Sequence, residues 1–222
     1  QQATNNNKSA TLSSFDVLAA HLYQRIYSAR LQDAHAHGYS EKDLSTDCVV
    51  AVNWRRPERL DLPPRFFPNA SVPQFFSLPS EDLVQKSLSF VAQGVHDGVR
   101  KLGKEEMINL MNWVAAQPDK TKIRPGFCLD KTIFIISQWS SFDVYVKVEF
   151  DAGAPELVSI PFSMLSLVDG VACFLATEDQ LKNRQDSSSN PQGKESVDVS
   201  LSLSEPIWRI LDEDQLFRQY RS

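Results

Sequence analysis

Apolar positions along the chain repeat with two periods, close to 3.6 residues in the first half and 2 residues further on. Phe15, Leu18, Leu22 and Ile26 share one helical face, and Ser13 with Asp16 three positions later caps its start; the spacing predicts a helix over about 14–31. CVVAVNW (48–54) is β-branched and nearly continuous, the pattern of a central strand covered on both faces. Pro57, Pro63, Pro64, Pro68, Pro73 and Pro79 follow, and their fixed φ and missing N–H groups leave only ordered loop or a sheet edge. A second helix opens at Ser80 with Glu81 and Asp82 in its first turn. Val84, Leu88, Val91, Val95, Val99 and Leu102 then keep one stripe as far as Gly103. A third helix, 105–116, carries Met107, Leu110, Met111 and Val114.

Beyond Pro118 the texture is that of strands. TIFIIS (132–137) is apolar, and in FDVYVKVEF (142–150) Phe142, Val144, Val146, Val148 and Phe150 alternate strictly, which predicts a strand with one wet side. Segments 162–167 and 171–177 flank Asp169-Gly170 as a hairpin. The polar stretch 180–196 reads as a mobile loop, 197–203 as a last alternating strand, and Pro206 opens a closing helix to about residue 219. Helices first and strands later predict a mixed α/β (α+β) fold, with a mostly antiparallel sheet flanked by helices over 11–222, preceded by a linker at 1–10.

Composition narrows the function. The 222 residues carry 23 Lys and Arg against 28 Asp and Glu, a formal charge of −5, with 42% apolar and 10% aromatic residues. These proportions support a real core and exclude wholesale disorder, while the mild acidity argues against nucleic acid as partner but leaves room for a local basic pocket. No apolar run approaches the roughly 18 residues of a membrane span. Cys48, Cys128 and Cys173 are odd in number and never spaced as CxxC, so reduced thiols and a cytoplasmic location are expected. QQATNNNK (1–8) has neither a basic nor an apolar region of a signal peptide, and Asn7 and Asn69 would be glycosylated only in a secretory chain.

Local chemistry names no reaction. His21 lies beside the apolar face of the first helix, which suits a packed imidazole. His35 and His37 sit in a polar connection without a third ligand, so no metal is expected. His96 faces away from the Val91, Val95 and Val99 stripe and reads as solvated. No P-loop, G-x-S-x-G or G-x-G-x-x-G occurs.

Seven segments taken together resemble the C-terminal half of a BAHD-type, coenzyme-A-dependent acyltransferase of a divergent, fungal flavour. SSFDVLAAHLY (13–23) is similar to the family's S-[ST]-[FY]-x-x-L-A-x-H-[VIL]-W helix, and AVNWR (51–55) to its strand ending in arginine. FPNA (67–70) stands where F-G-N-A does, AQPD (116–119) has a familiar look, and SQW (137–139) resembles T-S-W. EFDAGAP (149–155) takes the place of D-F-G-W-G-[KR]-P, and VDVSLSL (197–203) resembles the final strand. The signature departs from the pattern at Glu149, Asp151 and Ala152 and keeps Phe150, Gly153 and Pro155.

The resemblance implies a chloramphenicol-acetyltransferase-like domain and transfer of an acyl group from acyl-CoA to a hydroxyl or amine of a small specialised metabolite. The family's H-x-x-x-D base belongs to its N-terminal half. His37 with Glu41 only imitates the motif, so no catalytic base is expected in this chain, which alone would be inactive and would need that half as partner. Ser137 and Trp139 would border the acceptor and the oxyanion. Lys8, Ser13 and Ser14, at a helix start, would seat a phosphate of CoA. Arg55 would pair with Glu149, with Arg56 as rival partner, and Gly153 would shape the same loop; Arg55, Glu149 and Gly153 are expected to be structural. The alternatives are an inactive half-domain serving as an interaction module, and a condensation-type domain using carrier-bound thioesters; the terminal strands favour free CoA over the latter.

Overall fold

Among the described residues five strands, β1 (Asp47–Asn53), β2 (Ser71–Ser77), β3 (Phe134–Gln138), β4 (Val171–Ala176) and β5 (Val197–Ser202), make one sheet in the order β2-β1-β3-β4-β5. The structure is a computed structural model. It describes residues 11–56, 58–63, 65–124, 132–142, 144–149, 151, 153, 155–160, 168–177 and 196–220. The two inner pairings, β1 with β3 and β3 with β4, are parallel, and the two outer ones antiparallel. The sheet is therefore mixed, as expected, with two parallel and two antiparallel pairings among the described residues. The proline-rich crossing supplies edge strand β2, with Pro73 opposite Ala51, in keeping with proline's exclusion from inner strands. β1 is an inner strand, although β3 holds the middle of the sheet.

Cys48, Val50 and Val52 of β1, Phe134 and Ile136 of β3, and Ala172 and Phe174 of β4 turn one face of the sheet into the core. Helix α1 (Ser14–Ala36) covers that face with Ala19, Ala20, Tyr23, Ile26 and Tyr27. Its predicted cap is present: the Ser13 amide and hydroxyl both donate to Asp16, and the Asp16 amide donates back to Ser13 Oγ. The helix runs past Leu31 because Arg30 and Ala34 are still buried, and it stops before Gly38, whose φ of +79° ends the helical path. Arg30 ties it to the sheet. Its guanidinium donates to the Thr132 and Ile133 carbonyls and to Asp169, while Gly170 (φ +92°) passes so close that a Cβ there would lie 2.3 Å from the Ile133 carbonyl.

Two expected helices are broken. The second is α2 (Ser80–Gln85) followed by α3 (Leu88–Arg100), because Lys86 is extended and Ser87 accepts from the Phe90 amide as a new cap. Leu83 rather than Val84 is buried in α2. The closing helix divides at Asp214 into α6 (Glu205–Glu213) and α7 (Gln215–Arg218); Asp214 caps the latter and pairs with Arg25 of α1 at 2.7 Å. Between them, α4 (Lys104–Ala116) forms near its expected bounds, with only Met107 buried.

The alternating segment 142–150 is corrected outright. Val144–Lys147 is a single helical turn, α5, not a strand. β3 already has β1 and β4 on its two sides, so the segment that follows it cannot pair beside it, and a local turn supplies partners for its backbone instead. The Phe142 amide accordingly donates to the Trp139 carbonyl, and the Val144 amide to that of Phe142. The 1–10 linker, the 162–167 arm of the hairpin, Cys128 and nearly all of the 180–196 loop lie outside the described residues.

Candidate functional site

Parallel neighbours β1 and β3 end side by side at Asn53 and Gln138, and the carboxyl ends of such strands are where open sheets leave a crevice. Here the crevice is a cavity of about 700 Å³, closed on one side by the end of α3 and the start of α4. Ser137 and Trp139 line it from β3, Phe15 from α1, and Arg55 from the residues just beyond β1.

The Trp139 indole Nε1–H donates to Ser137 Oγ at 2.7 Å. The Ser137 oxygen is thereby oriented, and its own proton stays free to be donated to a developing oxyanion. Trp139 also leans on Phe142, ring centres 6.1 Å apart, which gives this end of the cavity an aromatic wall.

Arg55 donates to the Phe66 carbonyl (3.1 Å), the Pro68 carbonyl (2.7 Å) and Asn53 Oδ1 (3.1 Å). These bonds hold the proline-rich crossing against the end of β1. Glu149 is exposed, and among the described residues it forms no ion pair with Arg55 or Arg56; Arg56 faces Glu58 at 3.9 Å. The expected Arg55–Glu149 pair is thus not made within this chain. Gly153 has φ +109°, a conformation in which a side chain is strained.

Lys8 lies outside the described residues. Ser14 is exposed, and the amide and hydroxyl of Ser13 both donate to Asp16, so Ser13 acts here as the helix cap. Asp16 is 1% exposed and also accepts from His96 Nδ1 at 3.1 Å, with Arg100 at 3.9 Å. Burial raises its pKa, but the bonds from Ser13 and the nearby His96 outweigh that and hold the carboxyl below its ordinary value. His96 is therefore not solvated as its helix position suggested: the start of α1 comes down on that face of α3. His21 is packed, stacked on Phe217 and edge-on to Tyr220. Among the described residues no group of three His, Cys, Asp or Glu side chains is placed to hold a metal.

Three cations missed in the sequence share the cavity wall: Arg59, Arg100 and Lys104. The Arg59 guanidinium lies 4.8 Å over the Trp54 ring and donates to the Val99 and Leu102 carbonyls at the end of α3. Burial, with Arg100 and Arg56 nearby, lowers its pKa. Near a helix end, Arg100 reads from sequence as no more than a complement to the helix dipole, so nothing singled it out.

Residues 1–186 match the profile of the Transferase family, and the chain belongs to this family, that of the BAHD-type acyltransferases. Its fold is similar to that of TRI101 of F. graminearum, solved with coenzyme A and deoxynivalenol: TM-score 0.74 at 16% identity, over 97% of this chain and 43% of that one. TRI101 of F. sporotrichioides, solved with coenzyme A and T-2, gives 0.72 at 16% over 96% and 44%. Vinorine synthase gives 0.56 at 14% over 91% and 41%. The chain thus spans less than half the length of these structures and corresponds to one half of their fold, as the resemblance implied.

Proposed function

We propose that this chain is the C-terminal part of an acyltransferase that moves an acyl group from acyl-CoA to a hydroxyl or amine of a small specialised metabolite. The general-base histidine comes from an N-terminal half, and this chain supplies one wall of the channel between the halves. The acceptor, deprotonated by that base, attacks the thioester carbonyl. The oxyanion that forms is met by the Ser137 hydroxyl, and the thiolate of CoA leaves. Trp139 fixes the Ser137 oxygen and offers the acceptor an apolar face.

The observation that carries this reading is the oriented Ser137 hydroxyl in a cavity at the ends of two parallel strands, in a chain of this family. The test is a mass-spectrometric assay of the full polypeptide against a panel of acyl-CoAs and a total metabolite extract. An acyl-CoA-dependent product whose rate of formation falls about tenfold or more in the Ser137→Ala protein is expected. A folded protein that consumes no acyl-CoA would instead favour the interaction-module reading.

A further inference from the structure

Two walls of the cavity come from separate parts of the chain: the turn after β1, with Arg55 and Arg56, and the end of α3 with the start of α4, with Val99, Leu102 and Lys104. Arg59 crosses from the first to the second. The turn is fixed by its own backbone. The Arg59 and Asp61 amides donate to the Arg56 carbonyl, the Leu60 amide to that of Trp54, and the Leu62 amide to that of Arg55. Asp61 takes φ +50°, a left-handed conformation that short polar side chains tolerate. Trp54, fully buried, roots this turn in the core.

From its place 4.8 Å over the Trp54 ring, the Arg59 guanidinium donates to the Val99 carbonyl at 3.3 Å and the Leu102 carbonyl at 3.4 Å. A helix end leaves carbonyls without internal partners and carries the negative end of the dipole, so a planar cation is well placed there. The far wall needs such a tether, because α4, which continues it, buries only Met107 and is weakly held by its own packing.

We propose that Arg59 is a positioning residue: it holds the end of α3 at a fixed distance from the turn after β1, sets the width of the cavity between them, and so limits the bulk of the acceptor that lies there. The acceptor limit rests on the acyl-transfer reading above; the tether does not. Contact with the reacting carbonyl stays with Ser137. Lysine cannot replace Arg59, since an ammonium is a point charge on a flexible stem and offers no planar fork that stacks on an indole and reaches two carbonyls at once.

The experiment uses the full polypeptide as wild type, Arg59→Ala and Arg59→Lys. Hydrogen exchange read by mass spectrometry tests the tether: amides in 99–104 are expected to exchange about tenfold faster in Arg59→Ala, with α1 unchanged. The acyl-transfer assay on a total metabolite extract, with the panel of acyl-CoAs, tests the width. Arg59→Ala is expected to form acylated products of higher mass than wild type does, and to raise the kcat/KM ratio of the largest to the smallest shared acceptor about tenfold. Arg59→Lys follows alanine in both readouts. Unchanged exchange at 99–104, or a lysine protein indistinguishable from wild type, overturns the tether. Faster exchange with an unchanged acceptor ratio leaves Arg59 a structural brace and overturns its positioning role. If exchange quickens as expected but the wild type acylates nothing, the tether stands, while the acyl-transfer reading and the acceptor limit resting on it fall.

Discussion

Replacing Asp16 by alanine removes the group on which the start of α1, the middle of α3 and one side of the cavity converge. The carboxylate is 1% exposed and accepts from the Ser13 amide at 2.9 Å, the Ser13 hydroxyl at 2.7 Å and His96 Nδ1 at 3.1 Å. Loss of a helix cap alone costs about 1 kcal/mol. Here the substitution also leaves a buried imidazole N–H and a hydroxyl without their acceptor. Breaking such a buried charged network costs about 3–5 kcal/mol in total. For a domain near 200 residues each kcal/mol moves the melting temperature by about 2–4 °C, so Asp16→Ala should melt about 6–20 °C lower at pH 7. Asp16→Asn keeps the shape and part of the acceptor capacity, and should fall between alanine and wild type.

The pH dependence follows from the direction of the Asp16 shift. Its folded pKa lies below the unfolded one, so its contribution is complete above the ordinary carboxylate value of about 3.9 and is lost as pH falls through the folded value. The difference between wild type and Asp16→Asn, followed by circular dichroism melts from pH 7 downward, should be widest near neutrality and shrink below about pH 4. An Asp16→Ala protein melting within about 1 °C of wild type, or a difference that does not change on acidification, would refute the reasoning.

Ser137→Ala should lower turnover about tenfold or more with an unchanged melting temperature, and Trp139→Phe, which removes the indole donor at 2.7 Å, should lower it less, both read by the acyl-transfer assay. Gly170→Ala should cost about 2 kcal/mol or more, because φ is +92° and the new Cβ would meet the Ile133 carbonyl at 2.3 Å and Arg30 Nη2 at 2.5 Å; urea titration measures it, and a stability equal to wild type would contradict the geometry. Arg55→Ala should free the crossing that its guanidinium holds at Phe66 and Pro68, giving faster proteolytic cleavage within 56–70 than in Arg56→Ala; equal rates would show that the carbonyl bonds do not restrain the loop.

Where neighbouring residues decide the structure, the sequence was a sound guide. The Ser13–Asp16 box, the β-branched run of β1, the prolines that confine β2 to an edge and the alternation of β5 all depend on neighbours a few positions away. The apolar stripe from Val84 to Leu102 concealed the break at Lys86, since period alone does not register a serine that re-caps a helix inside it. In 142–150 the alternation was real, but a strand also needs a partner, and β3, which it follows in the chain, is already paired on both sides. The same limit applies to the site. Ser137 and Trp139, which line the cavity, lie two residues apart, close enough for a motif to point to both. Arg59, Arg100 and Lys104 come from a loop, a helix end and a helix start, and only the fold brings them to one wall. The period of α3 turned His96 away from the Val91, Val95 and Val99 stripe and so toward solvent, and could not show that Asp16 of another helix meets it.

If the cavity at the ends of β1 and β3 is the acyl-CoA site, a crystal structure of the full polypeptide with CoA bound will show the ligand there. The thiol arm of CoA is expected in this cavity, beside Ser137 and Trp139. CoA bound elsewhere, with this cavity filled only by solvent, would contradict it.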